Sequence, residues 1–131
     1  MASIDDKIEY WIGLSEYDMK TAEAMLDTKR FLYVGFMCHQ AVEKMLKGYY
    51  VSVKREEPPY THNLAKISSE TGLYKLMNDE QKDFLDYIQP MNIKARYPGY
   101  RKEILKDLNY TVSKNIIEKS KELIEWIKSK L

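Results

Sequence analysis

The residues best suited to chemistry in this sequence lie at helical spacing within one apolar stretch. Residues 31–53 contain no proline and are apolar almost all round, which predicts a helix buried by neighbours on several sides. Four polar residues interrupt this stretch at i, i+3, i+4 and i+7 and therefore share one face: Gln40, Glu43, Lys44 and Lys47. This polar stripe is either the solvent face of the helix, which is the simpler interpretation, or one wall of a binding site.

A second set of residues is suited to binding a phosphate group or a base. Its cations can bind an anion and its tyrosines can stack: Lys44, Lys47, His62, Arg96 and Arg101, with Tyr97 and Tyr100. Pro98 restricts the residue before it to an extended conformation, so the turn would hold Arg96 in a fixed place. We expect one groove bordered by Lys44, Lys47, His62, Arg96 and Tyr97, with Asp18, Gln40, Glu43 and Tyr100 in support. The alternative is that the lysines are solvated, His62 caps a helix and Arg96 forms a surface ion pair.

Other common site chemistries have little support in the sequence. His39 and Glu43 are spaced i, i+4 and could share a metal, but no third ligand accompanies them, so we expect no metal and no cofactor. A glycine-rich phosphate loop and a convincing Ser/His/Asp or Cys/His set are both lacking. The single cysteine, Cys38, falls on the apolar side of the stretch and is interpreted as a core residue.

Composition predicts one soluble helical domain spanning residues 1–131. Hydrophobic residues make up 44% and charged residues 31% of the chain, and five Gly with four Pro are too few for an all-β fold. The N-terminus is acidic where a signal peptide would be basic, and no apolar run is long enough for a membrane span. We therefore expect a cytoplasmic protein.

The net charge of +1 is unevenly distributed along the chain. Residues 1–27 hold seven Asp and Glu against two Lys, whereas residues 94–131 hold ten Lys and Arg against five Asp and Glu. Such asymmetry allows a basic face on a nearly neutral protein, as a nucleic-acid partner would require. The two ends could equally pair with each other in a bundle.

Helical periodicity organises the whole chain, and no segment has the alternation of a strand. A capping box at Ser3 and Asp6 starts a first helix over residues 4–27, and a short link leads to the second. After the proline-containing loop 54–60, Thr61 is the expected N-cap of a short helix that ends near Glu70. Asn78 and Gln81 start another helix, which Pro90 bends or ends, and the last runs from Leu108 to Lys130. The prediction is an all-α, antiparallel up-and-down bundle of four long helices and one short helix.

The same periodicity predicts the core and one exposed aromatic residue. The expected core comprises Met37, Cys38, Ala41, Met45, Ile88, Ile116 and Leu123. Asp18 lies on the edge of the apolar face of the first helix, so its carboxylate either lines a groove or pairs with a neighbouring helix. Trp126 falls on the outer side of the last helix, where an exposed indole would favour a homodimer.

Four motifs in this order resemble the HEPN domain family. They are Trp11 with Asp18 and Ala22, then Phe36-x3-Gln40-Ala41-x-Glu43-Lys44-x2-Lys47, then Thr61-His62-x-Leu64, then Arg96-Tyr97-Pro98. The resemblance covers about residues 5–128 and is similar to the branch described as nucleotidyltransferase substrate-binding subunits. It implies a helical bundle, commonly dimeric, that partners a minimal nucleotidyltransferase in a toxin–antitoxin-like pair. Members of the family also act as nucleotide-binding or RNA-cleaving modules.

The chain departs from the RNA-cleaving members of that family at one motif. Those proteins carry Arg-x4–6-His before the last long helix, but no His follows Arg96 here. Arg55 and His62 have that spacing but lie in the loop after the second helix, and we treat the match as a coincidence. A histidine would be the natural acid–base group for phosphodiester cleavage. A non-catalytic binding module is therefore the favoured interpretation; the alternatives are a metal-independent ribonuclease using Arg96 and His62, and a purely structural bundle.

Overall fold

The computed structural model describes residues 2–94, 106 and 108–131 of the chain. The helices with described bounds are α1 (Ile4–Asp27), α2 (Phe31–Lys54), α3 (Leu64–Glu70), α4 (Leu73–Leu76), α5 (Asp79–Ile88), α6 (Met91–Lys94) and α7 (Tyr110–Lys128). No strand occurs in the described residues, so the predicted all-α class is confirmed. The one-turn helices α4 and α6 are additions to the predicted set.

The long helices pack as an antiparallel bundle around α2. A three-residue link joins α1 to α2 and makes them antiparallel neighbours along their full length. Ion pairs between Lys121 and Glu23 and between Lys128 and Glu16 show that α7 also runs antiparallel to α1. Helices α3, α5 and α6 cover the remaining sides of α2. Consequently α2 is the central element of the fold, as its apolar composition predicts.

Local capping chemistry determines where the helices begin. The reciprocal capping boxes of Ser3 with Asp6 and of Asn78 with Gln81 are both present, as predicted. The expected N-cap Thr61 is wrong, because the side chain of Asn63 accepts the backbone N–H of Lys66 and α3 begins at Leu64. Thr61 instead accepts the backbone N–H of Asn63, just before the helix.

The last helix is shorter than predicted at both ends. Its N-cap is Asn109, whose side chain accepts the N–H of Val112, so α7 begins at Tyr110 rather than at Leu108. Leu108 is buried in the core just before the helix. At the other end α7 stops at Lys128, two residues before the predicted limit.

Burial in the structure confirms most of the core residues that the helical periodicity predicts. Six of the seven predicted core residues are buried: Cys38, Ala41, Met45, Ile88, Ile116 and Leu123. Met37 is only partly buried at the edge of the core, so that assignment is wrong. Trp126 is also partly buried and packs on the core, with the ammonium of Lys130 5.4 Å from its ring centroid. The expectation of an exposed indole is therefore wrong, and Trp126 no longer argues for a dimer.

The described helices also bear on membrane insertion. None of them combines the length and the apolar composition that a membrane-spanning helix needs.

Candidate functional site

The polar stripe of α2 is enclosed by other elements and is not its solvent face. Glu43 is 2% exposed and Lys47 is 7% exposed, while Gln40 and Lys44 are partly buried. Helix α1 covers one side of the stripe, and the loop before α3 and helix α6 cover the other. The simpler interpretation of the stripe as a solvated face is therefore wrong, because its polar groups meet partners from distant parts of the chain.

One half of the stripe connects α1 to α6. Lys44 Nζ donates to Asp18 Oδ2 over 2.7 Å and to Gln40 Oε1 over 3.3 Å. Gln40 Nε2 in turn donates to Asn92 Oδ1 over 2.9 Å. Asp18 therefore pairs with the neighbouring helix, which is one of the two outcomes that its position on α1 allowed. The pair neutralises a carboxylate that is nearly fully buried.

The other half of the stripe connects α2 to the loop before α3. The two oxygens of the Glu43 carboxylate have different partners: Oε2 accepts from Lys47 Nζ at 3.1 Å, and Oε1 lies 2.7 Å from His62 Nδ1. The Lys47 ammonium also lies 5.7 Å from the centroid of the Trp11 ring. A buried carboxylate with two hydrogen-bonded partners is satisfied, and each partner is consequently held in place.

The backbone of His62 is also held by hydrogen bonds. Its carbonyl accepts hydrogen bonds from His39 Nε2 at 3.1 Å and from Gln89 Nε2 at 3.0 Å. Gln89 Oε1 accepts the backbone N–H of Leu64, so the same side chain ties α5 to the start of α3. Burial lowers the pKa of His39 to about 4, so this imidazole is neutral near pH 7. With its Nε2–H donating to His62, His39 retains a buried Nδ1 with no hydrogen-bond partner in the described part of the chain.

The charges of the stripe largely cancel. Asp18 neutralises Lys44 and Glu43 neutralises Lys47, and all four side chains are mostly covered. Only His62 presents a large part of its side chain to solvent, with 55% of it exposed. Of the predicted cationic groups in the described residues, His62 is therefore the one whose polar end is open to a ligand.

Four of the predicted site residues lie beyond the part of the chain that the structure describes. They are Arg96, Tyr97, Tyr100 and Arg101. The described chain does approach the stripe shortly before them, since Asn92 contacts Gln40 and lies four positions before Arg96 in the sequence. That these residues border the same groove as His62 stays a prediction.

Three members of the network are not evident from the sequence. The sequence suggests only a weak metal-binding role for His39, and it suggests no role for Gln89 or Asn92. The structure places His39 and Gln89 on the carbonyl of His62 and Asn92 on the end of the stripe. The only sequence feature that points to Gln89 and Asn92 is that both are polar and lie close to Pro90. This feature is weak, because polar residues are common at helix ends whether or not they contact another element.

The described residues do not provide a metal site. In residues 2–94, 106 and 108–131 no three His, Cys, Asp or Glu side chains are grouped closely enough to hold a metal ion. His39 and Glu43, the candidate pair in the sequence, use polar atoms on the carbonyl and the ring of His62. A separate groove of about 560 Å³ lies between α5 and α7, lined by residues such as Phe84, Tyr87 and Ile116, and contains no part of the stripe.

Comparison with known proteins identifies relatives in sequence and in fold. The sequence profile of the HEPN domain matches residues 8–130. The crystal structure of TT1696 from Thermus thermophilus superposes with a TM-score of 0.81 at 14% identity, covering 95% of this chain and 98% of that one. At that identity the likeness concerns the fold alone. No curated protein matches this sequence.

Proposed function

The chain belongs to the HEPN domain family, and we propose that it is a nucleotide- or RNA-binding module or the partner of a minimal nucleotidyltransferase in a toxin–antitoxin-like pair. The observation that carries this proposal is the half-exposed imidazole of His62, fixed to the buried carboxylate of Glu43 at one end of the polar stripe. A fixed donor or acceptor open to solvent can bind a ligand without losing side-chain freedom.

The charge pattern supports an anionic ligand. Residues 94–131 carry the excess of positive charge, and they include Arg96 and Arg101 soon after α6. Helix α6 is attached to the stripe through Asn92. We propose that Arg96 and Tyr97 complete the site beside His62, with Tyr100 in support. In this arrangement Lys44 and Lys47 contribute mainly the positive potential of their ammonium groups and few direct contacts to the ligand. Both ammonium groups already have carboxylate partners.

A second candidate function is metal-independent RNA cleavage. The observation in its favour is again the contact of Glu43 Oε1 with His62 Nδ1, which leaves Nε2 as the open ring nitrogen. A carboxylate on one imidazole nitrogen orients the other for proton transfer. Against it stands the absence of a His after Arg96 in the sequence. Binding without cleavage is therefore the first choice.

The assembly and location of the protein are also proposals. We propose a homodimer by analogy with the HEPN family, and a cytoplasmic location from the composition of the chain. Sedimentation velocity at micromolar concentration should show the dimer, and a monomer over the whole range would remove this part of the proposal. Co-expression with a small nucleotidyltransferase from an adjacent reading frame should give a complex that survives gel filtration.

The binding proposal is tested by titration with ATP and with a short RNA at fixed salt. Arg96→Ala should weaken binding by about 1–3 kcal/mol, the scale of a charge-assisted hydrogen bond, and should change folding stability much less. Lys75→Gln is the matched control, because Lys75 is an exposed cation on α4 with no ion pair in the described structure.

The outcomes separate the three functions. No binding by the wild type would contradict the proposed function and leave a structural bundle. Equal affinities of wild type and Arg96→Ala would remove Arg96 from the proposed site. RNA cleavage that is lost in both Arg96→Ala and His62→Ala would instead favour the ribonuclease.

A further inference from the structure

His62 is held by three hydrogen bonds and remains open at one ring nitrogen. Its carbonyl accepts hydrogen bonds from His39 and Gln89, and its Nδ1 lies 2.7 Å from Glu43 Oε1. Its Nε2 makes no hydrogen bond within the described part of the chain, and the side chain is 55% exposed. The contacts of His39 and Gln89 fix the backbone of His62, and the contact of Glu43 fixes its ring.

The contact with Glu43 determines which ring nitrogen can meet a ligand. Nδ1 must carry a proton, because its partner is a carboxylate that Lys47 keeps in place through the other oxygen. In the neutral ring Nε2 is therefore an acceptor, and it becomes a donor only when the imidazole takes up a second proton. A ligand that presents acceptor oxygens can therefore hydrogen-bond to Nε2 only when His62 is the imidazolium.

Among the described groups, the charge balance around the ring favours an anion. Asp18 cancels Lys44 and Glu43 cancels Lys47, so this cluster of four is neutral. One further proton on His62 gives the cluster a single positive charge. An RNA phosphodiester carries one negative charge and presents two acceptor oxygens, so it matches both the charge and the hydrogen-bonding requirement of Nε2–H.

We propose that His62 binds a backbone phosphodiester of RNA as the imidazolium, with Glu43 as its positioning residue, so that RNA binding takes up a proton. This inference rests on the proposed RNA-binding function and adds its ligand group and its pH dependence. Glu43 acts through His62 and does not touch the RNA.

The groups around the ring make the pH dependence specific to His62. On α2 it faces Glu43, which is paired with Lys47, and the buried His39, whose pKa of about 4 keeps it neutral above pH 5. From the end of α5 it meets the uncharged side chain of Gln89. The chain contains two histidines in all. A pH dependence of RNA binding that is lost in His62→Gln is therefore assigned to His62, since Arg96, proposed beside it, stays charged throughout this range.

The experiment measures the affinity for a short single-stranded RNA with hydroxyl ends between pH 5.5 and 8.5 at fixed salt. Hydroxyl ends are required because a terminal phosphate monoester itself titrates near pH 6. Affinity should fall as pH rises, by up to about tenfold per pH unit where one proton is linked to binding. Calorimetry in two buffers of different ionisation enthalpy should show uptake of up to one proton per RNA bound.

Two variants test whether His62 is the group that takes up the proton. His62→Gln keeps a donor for Glu43 but cannot titrate, so its affinity should be independent of pH between 5.5 and 8. Glu43→Gln removes the counter-charge and should move the loss of affinity to lower pH, with affinity recovered by acidification. Lys75→Gln should keep the wild-type pH profile, since it removes an exposed charge on α4.

Glu43→Gln leaves Lys47 without its partner and can impair folding, so NMR of the wild-type imidazoles provides an independent measurement. Adding RNA should protonate Nε2 of His62, so that both ring nitrogens carry N–H, with Nδ1 protonated before and after binding. Binding that is pH-independent in the wild type, or equally pH-dependent in His62→Gln, would overturn this inference while leaving RNA binding intact. Failure of the RNA to bind at any pH would overturn the proposed function as well.

Discussion

Removing one partner of the Glu43–Lys47 pair should destabilise the protein much more than removing both. Glu43 Oε2 accepts from Lys47 Nζ at 3.1 Å, and their side chains are 3% and 9% exposed. Glu43→Met leaves a nearly buried ammonium whose remaining neighbour is the Trp11 ring at 5.7 Å. Replacing both residues by Met leaves neither charge in the interior.

The burial of the two groups sets the size of the effect. An uncompensated buried charge costs about 3–5 kcal/mol, so we expect Glu43→Met to lose about that amount of folding free energy. Lys47→Met should lose less, about 2–3 kcal/mol, because the carboxylate keeps its contact with His62. The double variant loses mainly the His62 contact, roughly 1–2 kcal/mol. The coupling energy should therefore be roughly 3 kcal/mol or more.

Urea unfolding monitored by circular dichroism at pH 7.5 gives the four free energies of this cycle. The exposed pair Glu23–Lys121 serves as the matched control, because its side chains are 45% and 52% exposed. Its own cycle should give a coupling energy below about 1 kcal/mol. Equal coupling energies for the two pairs, or a loss below about 1 kcal/mol in Glu43→Met, would refute the burial of the stripe in solution.

Three further predictions concern the core, the glycines and pH. Ile116 is 2% exposed, so Ile116→Asp should unfold the protein or lower its stability by more than about 4 kcal/mol in the same urea assay, and near-normal stability would show that α7 is packed differently. Gly13→Ala should raise stability by about 1 kcal/mol, because a methyl group there meets no atom within 4 Å; Gly48→Ala should not, because its methyl group meets Trp11 Cβ at 3.2 Å between α1 and α2. An equal rise in the thermal unfolding temperature of the two variants would contradict the close packing of α1 against α2 at Gly48. Burial lowers the pKa of His39 from 6.5 to about 4, so its contribution to stability is complete above pH 6.5 and is lost as pH falls from 6.5 towards 4, by about 3 kcal/mol in total. Between pH 7.5 and 4.5 the wild type should therefore lose more unfolding free energy than His39→Gln, and equal losses in the two proteins would contradict the burial of His39.

Features that depend on neighbours in the sequence are predictable. The capping boxes at Ser3 and Asn78 each need a partner only three residues away, so the sequence displays both halves of the contact. The short helix α3 is predictable as an element, but Thr61 and Asn63 compete as its cap, and the structure selects Asn63. Helices α4 and α6 span four residues each, too few for periodicity to appear.

Features that depend on distant partners cannot be predicted from the stripe alone. Lys44 meets Asp18 from 26 positions earlier in the sequence, and Gln40 meets Asn92 from 52 positions later. A helical wheel shows that the four polar residues share a face, but it carries no information on what covers that face. Trp126 illustrates the same limit, since its angle on α7 suggests exposure while the packing of the bundle covers part of its ring.

An NMR titration with RNA locates the ligand site on the protein. Backbone and imidazole signals of the wild-type protein would be followed as the hydroxyl-ended RNA is added at pH 6.5 and fixed salt. The proposal predicts that the largest shifts cluster at His62 and at Glu43 and Lys47 beneath it, with small shifts on the outer face of α1 near Tyr17. Shifts confined to that outer face or to the groove between α5 and α7, or no shifts at all, would contradict a site at the polar stripe.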